Sequence, residues 1–172
     1  MNDRDPPEVA PSIREEYLVS ERTNFLPSQN KTKAETRKPI PNMDPTQTKH
    51  GQFSWNELLT TDPSAAAKFY TQLFGWSTQD FPMPDFTYTV VKQSGAEMGQ
   101  GGLMAIPPHA KGMPPAWFSY VTVDNVDESA KKAQQLGGKI MLEPRDIPEV
   151  GRFAVIQDPQ GAAICIITYL KK

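Results

Sequence analysis

Glu57, in the stretch FSWNELLTT, is the side chain of this sequence best suited to acid–base chemistry. Alternation along a strand would place Glu57 on the same face as Trp55. An unpaired carboxylate among aromatic rings has a raised pKa, which suits a general base. Such a base could remove a proton next to a carbonyl group of a ligand. The resulting enolate would need a stabiliser, such as Arg152 or the backbone amides of GQGG. Because buried carboxylates are normally paired, a structural role for Glu57 is the alternative.

Cys165, in the apolar stretch AAICII, is the only cysteine in 172 residues. It could be a nucleophile, a metal ligand or a core residue. A nucleophilic thiol needs a base and an electropositive setting, and neither His50 nor His109 is an obvious base. A free buried cysteine commonly behaves as a small hydrophobic side chain. We therefore interpret Cys165 as filling the core or the floor of a binding site.

Two further stretches, GQGG and WFSY, could line a binding site. Glycine lets the backbone approach a ligand closely, which makes Gln100, Gly101 and Gly102 candidates for ligand contacts. The stretch is no nucleotide loop, because it leads into a strand and offers no helix N-terminus. Phe118 and Tyr120 alternate onto one strand face, where they would stack on a planar or apolar ligand. Ordinary core packing is the alternative for these rings.

The elements that would position these residues occur twice in the same order. A strand, a capped helix and three strands run from FSWNELLTT to GGLMAI, and again from AWFSYVTV to AAICIITYL. Asp62, Pro63 and Gly75 are typical of the cap, first position and end of the first helix. Its predicted apolar stripe consists of Ala66, Phe69, Tyr70 and Leu73. The sequence thus predicts an α+β fold of two tandem βαβββ modules, at about 52–106 and 116–170.

The first fifty residues have a different composition. They contain no glycine and seven of the seventeen prolines, without apolar periodicity. We expect residues 1–50 to be a mostly disordered extension and residues 51–172 to be the folded domain. Within the extension, Ile13, Tyr17 and Leu18 would share one face of a short helix. Met43 is an alternative natural start.

Several of these stretches together resemble the vicinal oxygen chelate superfamily, which includes glyoxalase I, bleomycin-resistance proteins and extradiol dioxygenases. They are WNELLTTDPSAAAKFYTQLFGW, GGLM, VDNVDESAKKAQQLGGKI and VGRFAVIQDPQGAAICII. The likeness is greatest to small two-module glyoxalase-like proteins. It implies paired modules whose mixed sheets curl into a cup, with any metal held by inward-facing strand residues.

The resemblance also implies four metal-ligand positions, usually His in the first strand of a module and Glu in the last. In this sequence they fall on Trp55, near Gly101 to Leu103, on Phe118 and on Cys165. A catalytic zinc ion needs about three protein ligands, and one thiol without partners does not supply them. We therefore expect neither a metal site nor a cofactor.

The overall composition indicates which classes of molecule the protein could bind. A net charge of −2 gives no sign of binding to nucleic acid or to an anionic membrane. The lone cysteine and the acidic, proline-rich start favour a cytoplasmic protein. We expect a monomer or homodimer that binds a small, partly apolar or aromatic molecule in the cup. The alternative is a glyoxalase-like isomerase or lyase that uses Glu57 as its base.

Overall fold

The computed structural model describes residues 49–170, which form one mixed sheet and two α-helices. The predictions for Met43 and for a helix near Ile13, and almost all of the extension, fall outside the described residues. The strands are β1 (Phe53–Thr60), β2 (Ser77–Pro82), β3 (Thr87–Lys92), β4 (Gly101–Ala105), β5 (Ala116–Thr122), β6 (Lys139–Ile147), β7 (Gly151–Gln157) and β8 (Ala163–Tyr169). The helices are α1 (Pro63–Phe74) and α2 (Val126–Gln135).

The strands form one eight-stranded sheet in the order β2-β3-β4-β1-β5-β8-β7-β6. The central pair, β1 and β5, is antiparallel, whereas β1 pairs parallel with β4 and β5 pairs parallel with β8. The β1–β5 pairing therefore joins the first five elements to the last five in a single sheet. The α+β class is as predicted from the sequence.

Side-chain caps fix where both helices begin. The Asp62 carboxylate accepts a hydrogen bond from the Ala65 backbone N–H at 2.9 Å, and Asn125 does the same for Glu128 at 3.1 Å. Each bond satisfies one of the amides that the first turn of a helix leaves without a partner. The first helix ends at Gly75, whose φ of 68° is in the left-handed region that glycine adopts without strain.

Both helices pack on the same face of the sheet, each over its own cluster of buried apolar side chains. Helix α1 covers Leu58, Val91 and Leu103, and helix α2 covers Val123, Ala154 and Ile166. In the second helix, Val126 and Ala130 are buried, as their spacing predicts.

The apolar stripe predicted for α1 is partly wrong. Ala66 and Tyr70 do pack on the sheet, together with Ala67. In contrast, Phe69 and Leu73 are 58% and 57% exposed. Spacing alone cannot distinguish these alternatives, because both stripes are apolar and lie on adjacent sides of the helix. The contact uses Ala66, Ala67 and Tyr70, so Phe69 and Leu73 face away from the sheet.

The face of the sheet opposite the helices carries the candidate site.

Among residues 49–170, no helix is long and apolar enough to cross a membrane.

Candidate functional site

A cavity of about 260 Å³ lies on the helix-free face of the sheet. It is lined by Trp55, Glu57, Met83, Phe86, Tyr88, Met104, Tyr120, Ile147, Val150, Phe153, Ile167 and Tyr169. These residues come from β1, β3, β4, β5, β7 and β8, and from both edge hairpins. Strands from both ends of the sheet thus face each other across the cavity, so the sheet curls around it. All lining residues except Glu57 are apolar or aromatic.

Glu57 is held by two tyrosine hydroxyls. Tyr88 donates to Oε1 at 2.9 Å and Tyr120 donates to Oε2 at 2.8 Å. Trp55 extends the network, because its Nε1–H donates to the Tyr88 hydroxyl at 2.8 Å. Each carboxylate oxygen therefore accepts one phenol proton, and every hydrogen bond of the network is directed towards Glu57.

Burial controls the acidity of Glu57. The loss of water raises the pKa of its carboxyl group, while the hydrogen bonds from Tyr120 and Tyr88 partly offset that rise. Burial, together with the negative charge of Glu57, raises the pKa of both hydroxyls well above their ordinary value. The two tyrosines therefore remain protonated donors at neutral pH.

Two glycines make room for the aromatic side chains of this network. A Cβ at Gly102 would collide with the Tyr88 hydroxyl, and one at Gly99 would lie 2.9 Å from the Trp55 ring. The sequence predicts that Gly102 lets the backbone approach a ligand. In the structure, the absence of a side chain at Gly102 lets Tyr88 lie over the sheet and reach Glu57.

Tyr88 is a site residue that the sequence reasoning missed. The alternation in TYTVVK places Tyr88 and Val90 on one face, and Val90 pairs with Gly102. A tyrosine next to a glycine of the neighbouring strand would indicate that its ring lies over that strand. This proximity can be recognised only when the register of β3 on β4 is known, and the sequence alone does not give that register.

Two predicted residues lie on the cavity side but are covered by other side chains. Cys165 is 3% exposed and packs with Tyr120, Val155 and Ile167. Burial raises the pKa of its thiol to about 12, so it is a neutral part of the core. Phe118 packs against both the cluster of Tyr120 and that of Leu59. Neither residue is among those that line the cavity.

Three predicted ligand contacts lie away from the cavity. Gln100 and Gly101 line a cleft on the helix side of the sheet, because alternation puts Gly101 opposite to Gly102. Arg152 also faces the helix side. It bonds Asp127 of α2 with two nitrogens, at 2.7 and 2.9 Å, and Asp146 with a third at 2.9 Å. The structure therefore places these three residues outside the cavity that contains Glu57.

The positions implied for metal ligands do not fit a metal ion. Trp55 and Phe118 have no ligating atom for zinc, and the Cys165 thiol is buried and protonated. Between residues 49 and 170, no group of three or more His, Cys, Asp or Glu side chains could hold a metal. Glu57 is a lone carboxylate whose two oxygens bond tyrosines.

This arrangement can perform two kinds of chemistry. Apolar and aromatic walls can take up a small apolar molecule, and one carboxylate can fix its orientation. A carboxyl group with a raised pKa can also accept a proton from a bound carbon acid.

Comparisons with known proteins agree with the fold. The family model described as Glyoxalase/Bleomycin resistance protein/Dioxygenase superfamily matches residues 52–166. "Putative glyoxylase CFP32" of Mycobacterium tuberculosis is 41% identical over 119 residues, which are 67% of this chain and 45% of the relative. "Anthracycline biosynthesis protein DnrV" of Streptomyces peucetius is 32% identical over 127 residues, 67% of this chain and 46% of the relative. The chain thus spans less than half the length of these relatives.

Solved structures with the same fold include methylmalonyl-CoA epimerase from Mycobacterium tuberculosis. Its TM-score is 0.54 at 18% identity, and the match covers 75% of this chain and 94% of the epimerase. At this identity the similarity concerns the fold alone. The family model covers most of the folded residues, and each of the two curated relatives matches 67% of the chain. The chain therefore belongs to the glyoxalase/bleomycin resistance protein/dioxygenase superfamily.

Proposed function

We propose that this domain binds a small, apolar or aromatic molecule in the cavity around Glu57, without the metal ion that the family often uses. The observation that carries the proposal is the lining itself, in which eleven of the twelve side chains are apolar or aromatic. Such walls favour an apolar ligand, and one polar group fixes its orientation. The names of the relatives, one linked to anthracycline biosynthesis, are compatible with an aromatic ligand.

A neutral aromatic probe, 2-naphthol, tests this proposal. We expect it to bind the full chain, and we expect Ile147→Trp to weaken binding at least tenfold, because the indole would occupy the cavity. Gln100→Trp is the matched control, since it adds the same ring in the cleft on the helix side. Fluorescence titration measures both affinities. Equal affinity in the two variants would place the ligand elsewhere.

Metal independence has its own test. Calorimetric titration of the chain with Zn²⁺, Ni²⁺ and Fe²⁺ should show no stoichiometric binding. Tight one-to-one binding would contradict the proposal and would move metal-dependent chemistry to first place.

The second candidate function is a glyoxalase-like isomerase or lyase that uses Glu57 as its general base. The observation in its favour is the burial of Glu57, which raises the pKa of the carboxyl group and makes its carboxylate a stronger base. Glu57→Gln should then lower turnover by about 10²-fold or more while 2-naphthol still binds. Full turnover in this variant would exclude Glu57 as the base.

The remaining parts of the proposal concern partners and assembly. We propose two βαβββ repeats within one domain, a cytoplasmic protein and a monomer or homodimer, with no nucleic-acid or membrane partner. Size-exclusion chromatography with light scattering tests the assembly.

A further inference from the structure

The charge balance of the cavity indicates which ligands it can accept. Glu57 is the only ionisable group among the lining residues apart from three tyrosines, and none of the lining residues is basic. Burial raises the pKa of Tyr169 to about 12, and Tyr88 and Tyr120 are shifted in the same direction. Any charge in the cavity at neutral pH is therefore the negative charge of Glu57.

The directions of the hydrogen bonds lead to the same conclusion. Tyr88 and Tyr120 each use their single hydroxyl proton on Glu57, so neither has a proton left for a ligand. Trp55 likewise uses its only N–H on Tyr88. The carboxylate oxygens, in contrast, each keep capacity to accept a further bond. The polar group of a ligand that reaches Glu57 must therefore be a donor.

The aromatic walls add a second attraction for positive charge. Six of the lining side chains are aromatic, namely those of Trp55, Phe86, Tyr88, Tyr120, Phe153 and Tyr169. The faces of such rings attract cations, most strongly where water is excluded. An ammonium group beside Glu57 would also offset the cost of burying the carboxylate. An anionic ligand would instead meet uncompensated negative charge.

The volume is suited to a small ligand. A cavity of about 260 Å³ has room for an aromatic ring with a short side chain.

We propose that the cavity selects a small aromatic amine in its cationic form, with the ammonium group donating to Glu57 and the ring lying against the apolar walls. This inference rests on the proposed binding function and specifies the class of its ligand.

Three probes of similar size and different charge test the inference: 2-phenylethylamine as cation, 2-phenylethanol as neutral isostere and phenylacetate as anion. NMR titration of the full chain measures their affinities. We expect the amine to bind about tenfold or more tightly than the alcohol, because its hydrogen bond to Glu57 is charge-assisted. Phenylacetate should bind most weakly of the three.

Glu57→Gln should abolish the preference for the amine over the alcohol, because the side chain no longer carries a charge. Glu97→Gln is the matched control, because it removes the same charge from an exposed turn outside the cavity. It should preserve the tenfold preference. Loss of the preference in both variants would overturn the inference, since net charge would then explain it.

A second measurement on the unaltered chain does not depend on how a variant folds. The amine requires ionised Glu57, so its affinity should rise as pH increases through the raised pKa of this group and then level off. The titratable groups that face Glu57 are Tyr88, Tyr120, Tyr169 and Cys165, all of which titrate at higher pH. The affinity for the alcohol should not follow this profile.

The possible outcomes distinguish a failure of the cation preference from a failure of the proposed binding function on which it rests. Equal affinities for amine and alcohol, or tighter binding of phenylacetate, would overturn the cation preference but leave an apolar binding site. Failure of all three probes and of 2-naphthol would overturn both proposals. A pH-independent affinity for the amine would overturn the pairing with Glu57.

Discussion

Both faces of the sheet carry aromatic side chains, which enclose a cavity on one face and line an open cleft on the other. On the helix-free face, Trp55 and Tyr88 enclose a cavity whose floor is a buried carboxylate. On the helix face, Tyr70, Trp76 and Trp117 line an open cleft of about 420 Å³. The two sites share strand β1, where Glu57 faces the cavity and its neighbour Asn56 faces the cleft.

The difference lies in what the rings contact. In the cleft, Tyr70 packs against Trp76 and Trp117 with ring centroids 5.9 and 5.4 Å apart, and Trp117 donates to its hydroxyl at 3.1 Å. The hydrogen bond and the ring contacts of this cluster are therefore made among its own members. In the cavity, the hydroxyls of Tyr88 and Tyr120 are directed instead to Glu57, which leaves the apolar faces of these rings available to a ligand. Aromatic composition alone therefore does not identify the binding site.

The largest effect is expected from the packing beneath α1. Leu103→Ala removes a side chain that is fully buried at the helix–sheet contact, which should lower the free energy of unfolding by about 2–5 kcal/mol. Leu73→Ala is the control on the outer side of the same helix, where the side chain is 57% exposed. It should change the free energy of unfolding by less than about 0.5 kcal/mol. Urea denaturation measures both, and equal losses would contradict the observed orientation of α1.

Adjacent glycines of β4 give a direct contrast between the faces. A Cβ at Gly101 would lie 2.6 Å from the backbone oxygen of Asn56, which cannot move easily, so Gly101→Ala should cost about 1–3 kcal/mol of stability. A Cβ at Gly102 would displace the Tyr88 side chain instead. Gly102→Ala should therefore weaken the binding of 2-naphthol more than Gly101→Ala does. Unchanged binding in Gly102→Ala would show that Tyr88 does not shape the cavity.

A smaller effect is expected from the ion pair that ties α2 to the sheet. Arg152 holds the pKa of the Asp127 carboxyl below its ordinary value, chiefly through their hydrogen bonds. The contribution of this pair is fully present above the unfolded pKa of aspartate and is lost as pH falls through the lowered pKa of the folded state. Arg152→Ala should lower the Tm at neutral pH, and the difference from the unaltered chain should shrink in acid. The affinity for 2-naphthol should stay the same, because Arg152 lies outside the cavity.

No reaction is expected at Cys165 in the folded protein. Its thiol is buried under the cavity floor with a pKa of about 12, so the reactive thiolate is nearly absent at pH 8. A disulfide reagent should label it only after urea is added. Rapid labelling without urea would mean that the cavity extends to this residue.

The secondary structure was largely predictable because it depends on local signals. Asp62 and Gly75 delimit α1 as their cap chemistry predicts, and alternation correctly placed Trp55 and Glu57 together. The positions of Phe69, Gln100 and Arg152 differ from the sequence prediction for one reason. The side of a helix that meets the sheet, and the register between strands, depend on contacts between distant parts of the chain.

The order of the elements, their ends, the α+β class and the apolar surroundings of Glu57 follow from local patterns in the sequence, because caps and alternation act over a few residues. Pairing between distant strands brings Tyr88 and Tyr120 to the two oxygens of Glu57, from either side of β1. Contacts of the same long range turn Arg152 towards Asp127 and cover Cys165. No local pattern specifies these contacts, because they depend on strand order and register, which are decided by pairing across the whole sheet.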